Sequence, residues 1–268
     1  MSKKFAIKAV GVIAGIYVLL ITLLYFYQEK FLFMPDKVAT DYQFKYDTPF
    51  EELNFIMEDS IILNGLLFKA DSSKGLVFYL HGNAGSLAEW GTAAKPFIDN
   101  KYDCFIIDYR GFGKSEGIIE NEEQLHQDIN SVYQSLLTRY EEKNVIIVGY
   151  SMGSGVASKL ASVNHPKELI LKAPYNNMAA VSRHHFPWAP TFFLRYSFKS
   201  DEFLRSIPET KITIFHGDED NIIPLNCALK LQENFNENDK LIILKGQNHY
   251  PMTQNKDYQR GIAEILND

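Results

Sequence analysis

The chain of 268 residues carries 27 basic against 33 acidic side chains, a formal net charge of −6, and is 46% hydrophobic, 13% aromatic and 22% charged. That is enough apolar material for one core of ordinary size, which excludes disordered and collagen-like classes, and the acidic balance offers no footprint for a phosphate backbone, so nucleic acid is not an expected partner. Its two cysteines cannot build a Cys/His metal cluster, and Cys104, which opens the apolar run Cys104-Phe105-Ile106-Ile107, is expected as a buried free thiol.

Lys3, Lys4 and Lys8 precede an uncharged stretch from Ala9 to Tyr27. As a helix it would be about 28 Å long, matching a hydrocarbon core of roughly 30 Å. Tyr25, Phe26 and Tyr27 stand at its far end as an interfacial aromatic group. A cleaved signal peptide would share the basic start and apolar middle, but it needs small residues at the cleavage site, and the chain continues Tyr25-Phe26-Tyr27-Gln28-Glu29-Lys30. An uncleaved single-pass anchor over residues 1–30 is the preferred reading. The basic near flank then puts the N-terminus in the cytoplasm and the remainder on the outer or periplasmic side. The apolar patch Phe31-Leu32-Phe33-Met34-Pro35 admits two placements, along the membrane surface or against the following domain.

Residues 31–268 form the expected catalytic domain. Glu52 to Met57 and Ile61 to Lys69 read as an antiparallel pair at one sheet edge. Six apolar runs follow: Leu76–Leu80, Cys104–Tyr109, Val145–Val148, Leu169–Leu171, Ile212–Phe215 and Leu241–Leu244. Such runs suit strands covered on both faces. Between them lie stretches of helical composition, Leu87–Ile98, Glu122–Tyr140, Met152–Ser162, Leu225–Asn234 and Gln254–Leu266. The alternation predicts an α/β fold with a mostly parallel central sheet flanked by helices. Residues 175–207 break the rhythm with Phe186, Trp188, Phe192, Phe193, Tyr196 and Phe198. A small cap over the site is expected there, with packing against the outside of the sheet as the alternative.

Val145–Val148 leads into Gly149-Tyr150-Ser151-Met152-Gly153, which is G-x-S-x-G between a strand and a helix. In that context the serine sits on a tight strained turn and its neighbours must be small, so Ser151 is the candidate nucleophile. A serine hydroxyl needs a base held in the right tautomer by a carboxylate. Of seven histidines, His249 follows the last strand and alone lies C-terminal to a plausible acid loop; His81 and His216 end strands and read as loop-shaping. Asp218, Glu219 and Asp220 stand together after Ile212–Phe215, and spacing alone does not separate them. The oxyanion donors are expected from the backbone of Met152, next after the nucleophile, and of Asn83 in His81-Gly82-Asn83-Ala84-Gly85.

Together with Asp108-Tyr109-Arg110-Gly111-Phe112-Gly113-Lys114-Ser115, these motifs resemble the small membrane-anchored serine hydrolases of the alpha/beta-hydrolase superfamily. Their relatives include lysophospholipases, monoacylglycerol lipases and protein depalmitoylases. The resemblance implies an alpha/beta-hydrolase fold from about Phe50 to Asp268. It implies Asp220 as the acid, through a His-Gly-x-x-Asp-x-x-aliphatic-Pro pattern matching His216, Gly217, Asp220, Ile223 and Pro224, with Asp218 as the fallback. It makes Asp108–Ser115 a structural loop, because a phosphate loop ending in Gly113-Lys114-Ser115 would need glycine where Asp108 stands. The expected activity is cleavage of an ester or thioester of an amphiphilic, lipid-like acyl substrate through an acyl-enzyme, with no metal or organic cofactor. A prolyl-oligopeptidase-type peptidase and a non-catalytic membrane-tethered binding protein are the competing readings.

Overall fold

The chain, taken from a computed structural model, is described over residues 3–267. Apolar residues without a proline carry helix α1 from Lys3 to Leu32, about 45 Å at 1.5 Å per residue. Ala9–Tyr27 lies inside it. Its mean hydropathy of 2.4, with 6% of the apolar window buried, makes it the one helix among the described residues long and apolar enough to cross a membrane.

The chain then forms strands β1 (Met34–Pro35), β2 (Phe50–Ile56), β3 (Ile62–Phe68), β4 (Leu76–Leu80) and β5 (Ala84–Gly85), and helices α2 (Leu87–Trp90) and α3 (Lys95–Asp99). Next come β6 (Asp103–Ile107), α4 (Glu122–Leu136), β7 (Val145–Tyr150), α5 (Met152–Ser162) and β8 (Glu168–Lys172). After α6 (Met178–His185) and α7 (Ser200–Arg205) the chain closes with β9 (Lys211–Gly217), α8 (Leu225–Gln232), β10 (Lys240–Leu244) and α9 (Lys256–Asn267).

Eight strands make one sheet in the order β10-β9-β8-β7-β4-β6-β3-β2. β3 is antiparallel to both its neighbours and the other pairs are parallel. Alternate residues of the central strands feed two cores. Leu76, Phe78 and Leu80 of β4 pack with Leu125, Ile129 and Val132 of α4 and Val156 and Leu160 of α5. Val77 and Tyr79 pack on the opposite face with Phe97, Tyr258 and Ile262. The sheet therefore presents the C-terminal ends of its parallel strands, where loops can gather functional groups, along one rim.

The expected edge pair stands, and Cys104 and Cys227 are both buried free thiols. Three element assignments change. The helix expected over Leu87–Ile98 is broken by a 3-10 turn at Gly91–Ala94, after which a new helix starts with Pro96, which lacks an N–H, in its first turn. The helix expected to Tyr140 ends at Leu136. β10 is an edge strand with Ile243 exposed, not a strand covered on both faces.

The patch Phe31–Pro35 packs on the domain. β1 pairs in parallel with β5, and the Met34 amide donates to the Asn83 carbonyl at 2.8 Å. Residues 175–207 lie over the sheet's C-terminal rim, where α6 and the segment after it meet α1 above the site.

Candidate active site

The turn between β7 and α5 holds Ser151 at φ 52°, ψ −119°. Backbone in that region costs a non-glycine residue about 1–3 kcal/mol and persists only where the surroundings impose it. Here they do. The Ser151 amide donates to the Lys172 carbonyl at 2.9 Å, and the Ser154 hydroxyl donates to the Ser151 carbonyl at 2.6 Å. Gly149 and Gly153 let helix and strands close: a Cβ at Gly153 would strike the Leu80 and His81 carbonyls, and one at Gly149 would lie 2.7 Å from the Ser154 Cα.

His249, in the loop after β10, sits with Nε2 3.0 Å from Ser151 Oγ and Nδ1 2.7 Å from Asp220 Oδ2. The Tyr150 hydroxyl donates to the His249 carbonyl, and the Asn248 side-chain oxygen accepts from the His249 amide at 2.6 Å. Asp220 is further fixed by the amides of Ile222 and Ile223, which donate to Oδ1 at 2.9 and 2.8 Å. Burial pushes its carboxyl up, but the bonds from His249 and from these two amides outweigh it and hold the group below the ordinary carboxylate value. Asp218 is turned elsewhere and accepts from the Gly246 amide at 2.7 Å. The carboxylate cluster that spacing could not divide is thus divided by direction.

Asn83 and Met152 border the same cavity as Ser151 and His249. As the first residue of α5, Met152 has an amide with no partner inside its helix, aimed from the helix's positive end. The loop bearing Asn83 is held from behind by β1 and by the Asp36 amide, which donates to the Gly85 carbonyl at 3.0 Å. His81 and His216 shape loops. His81 lies 3.3 Å from Asp108, whose carboxylate accepts the Leu87 amide at 3.0 Å, and His216 Nε2 bonds the Ile223 carbonyl at 2.8 Å. Burial keeps the His216 imidazole below its ordinary pKa, so it stands as a neutral group 3.6 Å from Asp220. The Asp108–Ser115 loop is cross-braced, with Arg110 bonded to both Asp128 and Asp59 at 2.6 and 2.5 Å.

Sequence reasoning missed Lys172. It ends β8 directly beneath the serine turn, fully buried, with its amine 3.2 Å from the Tyr79 hydroxyl and over the rings of Tyr79, Tyr150 and Tyr258. Burial drives the amine down to about 7. A lysine at the end of Leu169-Ile170-Leu171 reads as a solvent-reaching strand terminus, and only the neighbouring aromatic positions hint otherwise.

A cavity of about 450 Å³ opens over Ser151 and is lined almost entirely by apolar side chains from α1, α6 and the segment after α6. Asn83, Ser151 and His249 bring polar groups to it, as do Gln28, Ser182 and His185 of the helical walls, and the prevailing apolar lining suits an amphiphile.

Residues 71–207 match the model of the family described as serine aminopeptidase, S33. An uncharacterized protein of Acanthamoeba polyphaga mimivirus is 28% identical over 274 residues, 88% of this chain and 91% of that one. The lysophosphatidylserine lipase ABHD12 of Danio rerio is 30% identical over 183 residues, 60% of this chain and 47% of the relative, so the chain spans about half that protein's length. Among solved structures, the Pyrococcus furiosus esterase Pf2001 superposes with a TM-score of 0.71 at 18% identity, covering 87% of this chain and 98% of the esterase, a likeness of fold.

Proposed function

The chain belongs to the serine aminopeptidase S33 family of alpha/beta serine hydrolases, and from that premise we propose that it cleaves carboxylic esters or thioesters of amphiphilic acyl compounds through an acyl-enzyme on Ser151. The observation that carries the proposal is the continuous line of hydrogen-bond distances from Ser151 Oγ through His249 to Asp220, opening into an apolar cavity.

In this reading Ser151 Oγ attacks the substrate carbonyl carbon while its proton passes to His249 Nε2. Asp220 remains a carboxylate, keeps the Nδ1 proton in place and stabilises the imidazolium. The carbonyl oxygen becomes an oxyanion facing the Asn83 and Met152 amides; one such donor is commonly worth about 3 kcal/mol. When the tetrahedral adduct collapses, the alcohol or thiol leaves with the proton from Nε2. Water then repeats the cycle on the acyl-serine, releasing the acid and restoring the hydroxyl. No step calls for a metal or an organic cofactor.

The apolar lining supports an acyl chain in the cavity. The Danio rerio relative, a lysophosphatidylserine lipase, supports an ester with one chain and a polar head. The apolar face of α1 supports a membrane anchor over residues 1–30, with residues 31–268 as the catalytic domain. The basic flank supports a cytoplasmic N-terminus. Protease added to spheroplasts of a Gram-negative host should then digest the catalytic domain, and full protection there reverses the orientation.

The decisive experiment is fluorophosphonate labelling of the detergent-solubilised protein beside Ser151→Ala and His249→Ala. Labelling of the unaltered chain alone supports the assembled centre; equal labelling of folded Ser151→Ala sinks it. The family's description favours a peptidase as second reading. A medium-chain p-nitrophenyl ester compared with an aminoacyl amide separates the two, and comparable amide turnover moves the peptidase to first place.

A further inference from the structure

The cavity over Ser151 is not closed by the catalytic domain alone. One wall is α1, through Ile21, Leu24, Tyr25, Gln28 and Phe31, and another is α6 with Phe186, Ala189, Pro190, Phe193 and Leu194 of the segment that follows it. That segment is fastened to α1 along its length. The Tyr17 hydroxyl donates to the Trp188 carbonyl at 3.1 Å, the Gln28 amide donates to the Phe193 carbonyl at 3.3 Å, and the Arg195 amide donates to the Gln28 side-chain oxygen at 2.9 Å. Just beyond, Arg195 pairs with Glu29 at 2.7 Å.

These contacts set a depth. If Ala9–Tyr27 spans the hydrocarbon, Tyr17 lies about 15 Å in from Tyr27, near the middle of a core of roughly 30 Å. Trp188, bonded to Tyr17, shares that level, while the Arg195–Glu29 pair falls at the headgroup boundary. The segment's composition fits lipid. Phe192 is 80% exposed and Trp188 47%, a poor arrangement in water and an ordinary one in a bilayer. Irregular backbone survives at that depth only where its polar groups are satisfied within the protein. Pro187 and Pro190 carry no N–H, the Ala189 amide donates to the Phe186 carbonyl at 2.9 Å, and α1 supplies donors to the Trp188 and Phe193 carbonyls.

A second apolar groove, of about 360 Å³, runs between α1 and Trp188 and shares Leu24 and Phe31 with the cavity over Ser151. We infer that Phe186–Leu194 is a second membrane-embedded element, and that with α1 it frames a side portal through which one acyl chain of a bilayer lipid passes directly into the cavity over Ser151. The inference rests on the membrane-anchored ester hydrolase proposed above. The substrate keeps its head at the Arg195–Glu29 level while its tail moves sideways between two apolar walls, so it never crosses water.

The chain has two tryptophans, Trp188 and Trp90, and Trp90 is stacked on His81 inside the domain. The full protein is reconstituted in vesicles of phosphatidylcholine brominated at mid-chain carbons, and its fluorescence is compared with that of Trp188→Phe. Bromolipid quenching that disappears in Trp188→Phe, with no quenching of that component by aqueous iodide, is the expected result. Quenching of Trp188 by iodide and not by bromolipid overturns the inference. This readout is independent of turnover, so an inactive centre leaves it interpretable and a failed insertion leaves the hydrolase proposal standing. For the portal, Phe192→Asp places a charge outside the cavity wall. Turnover of a long-chain ester held in vesicles should fall roughly tenfold or more, with a soluble short-chain ester unchanged. Equal effects on both substrates, or on neither, remove the portal.

Discussion

Replacing Asp220 by Asn keeps the shape of the side chain and inverts one hydrogen bond. The Ile222 and Ile223 amides both point at Oδ1, at 2.9 and 2.8 Å, so the oxygen of an asparagine must take that side and its NH₂ must face His249 Nδ1. A donor there forces Nδ1 to accept, which moves the ring proton to Nε2, the atom 3.0 Å from Ser151 Oγ. A protonated Nε2 cannot take the serine proton. The expected loss is about 10⁴ in kcat, equivalent to roughly 5.4 kcal/mol of barrier, because the wrong tautomer dominates while the geometry survives. Folding suffers less: a charge-assisted bond becomes a neutral one, a change of about 1–2 kcal/mol. Asp220's contribution to stability is fully present above the ordinary carboxylate pKa and is lost as pH falls through its lower folded value, so Asp220→Asn should also flatten the acid end of the stability profile. The assay is p-nitrophenyl ester hydrolysis with thermal unfolding measured alongside. A variant that melts normally and keeps more than about a tenth of the activity refutes the tautomer argument, and a collapse seen instead in Asp218→Asn transfers the acid role to that residue.

Lys172 gives a pH signature of the opposite sign: its amine falls from 10.5 unfolded to about 7 folded, so the unfolded chain holds the extra proton and stability rises with pH between those values, by at most about 5 kcal/mol. Lys172→Met should remove most of that slope in denaturant titrations at pH 7 and pH 10, and an unchanged slope rejects the buried-amine account. Gly153→Ala drives a Cβ into the Leu80 and His81 carbonyls. It should cost about 1–3 kcal/mol or more and abolish fluorophosphonate labelling, whereas a normal melting point with full labelling contradicts the close approach described here.

The serine turn was legible because strain leaves a local mark: small residues at fixed offsets, a strand before and a helix after. His249 was legible from chain order and from its place after the last strand. Asp220 and Asp218 look alike in one dimension, and what separates them is which carboxylate the Ile222 and Ile223 amides can reach. Lys172 was opaque for a related reason, since its burial depends on tyrosines from β4, β7 and α9 meeting below one strand end. The same limit applies to Gly91, whose missing side chain makes room for a ring 45 residues earlier in the chain. The Phe31–Pro35 patch was legible as apolar and illegible in its placement, because Met34 and Pro35 pair with backbone and Phe33 packs on the distant ring of Tyr196.

That backbone pairing, Met34–Pro35 against Ala84–Gly85, has a practical and physiological edge. Two residues past the end of α1 the chain runs beside Asn83, so the proposed anchor and the proposed oxyanion loop share a single short splice. A cut inside α1 leaves the splice in place and takes away only the part of the cavity wall that α1 supplies. A cut only a few residues later, beyond Pro35, takes away the loop's backing as well. The position of the cut would then decide whether substrate binding alone is impaired or the oxyanion loop is lost with it.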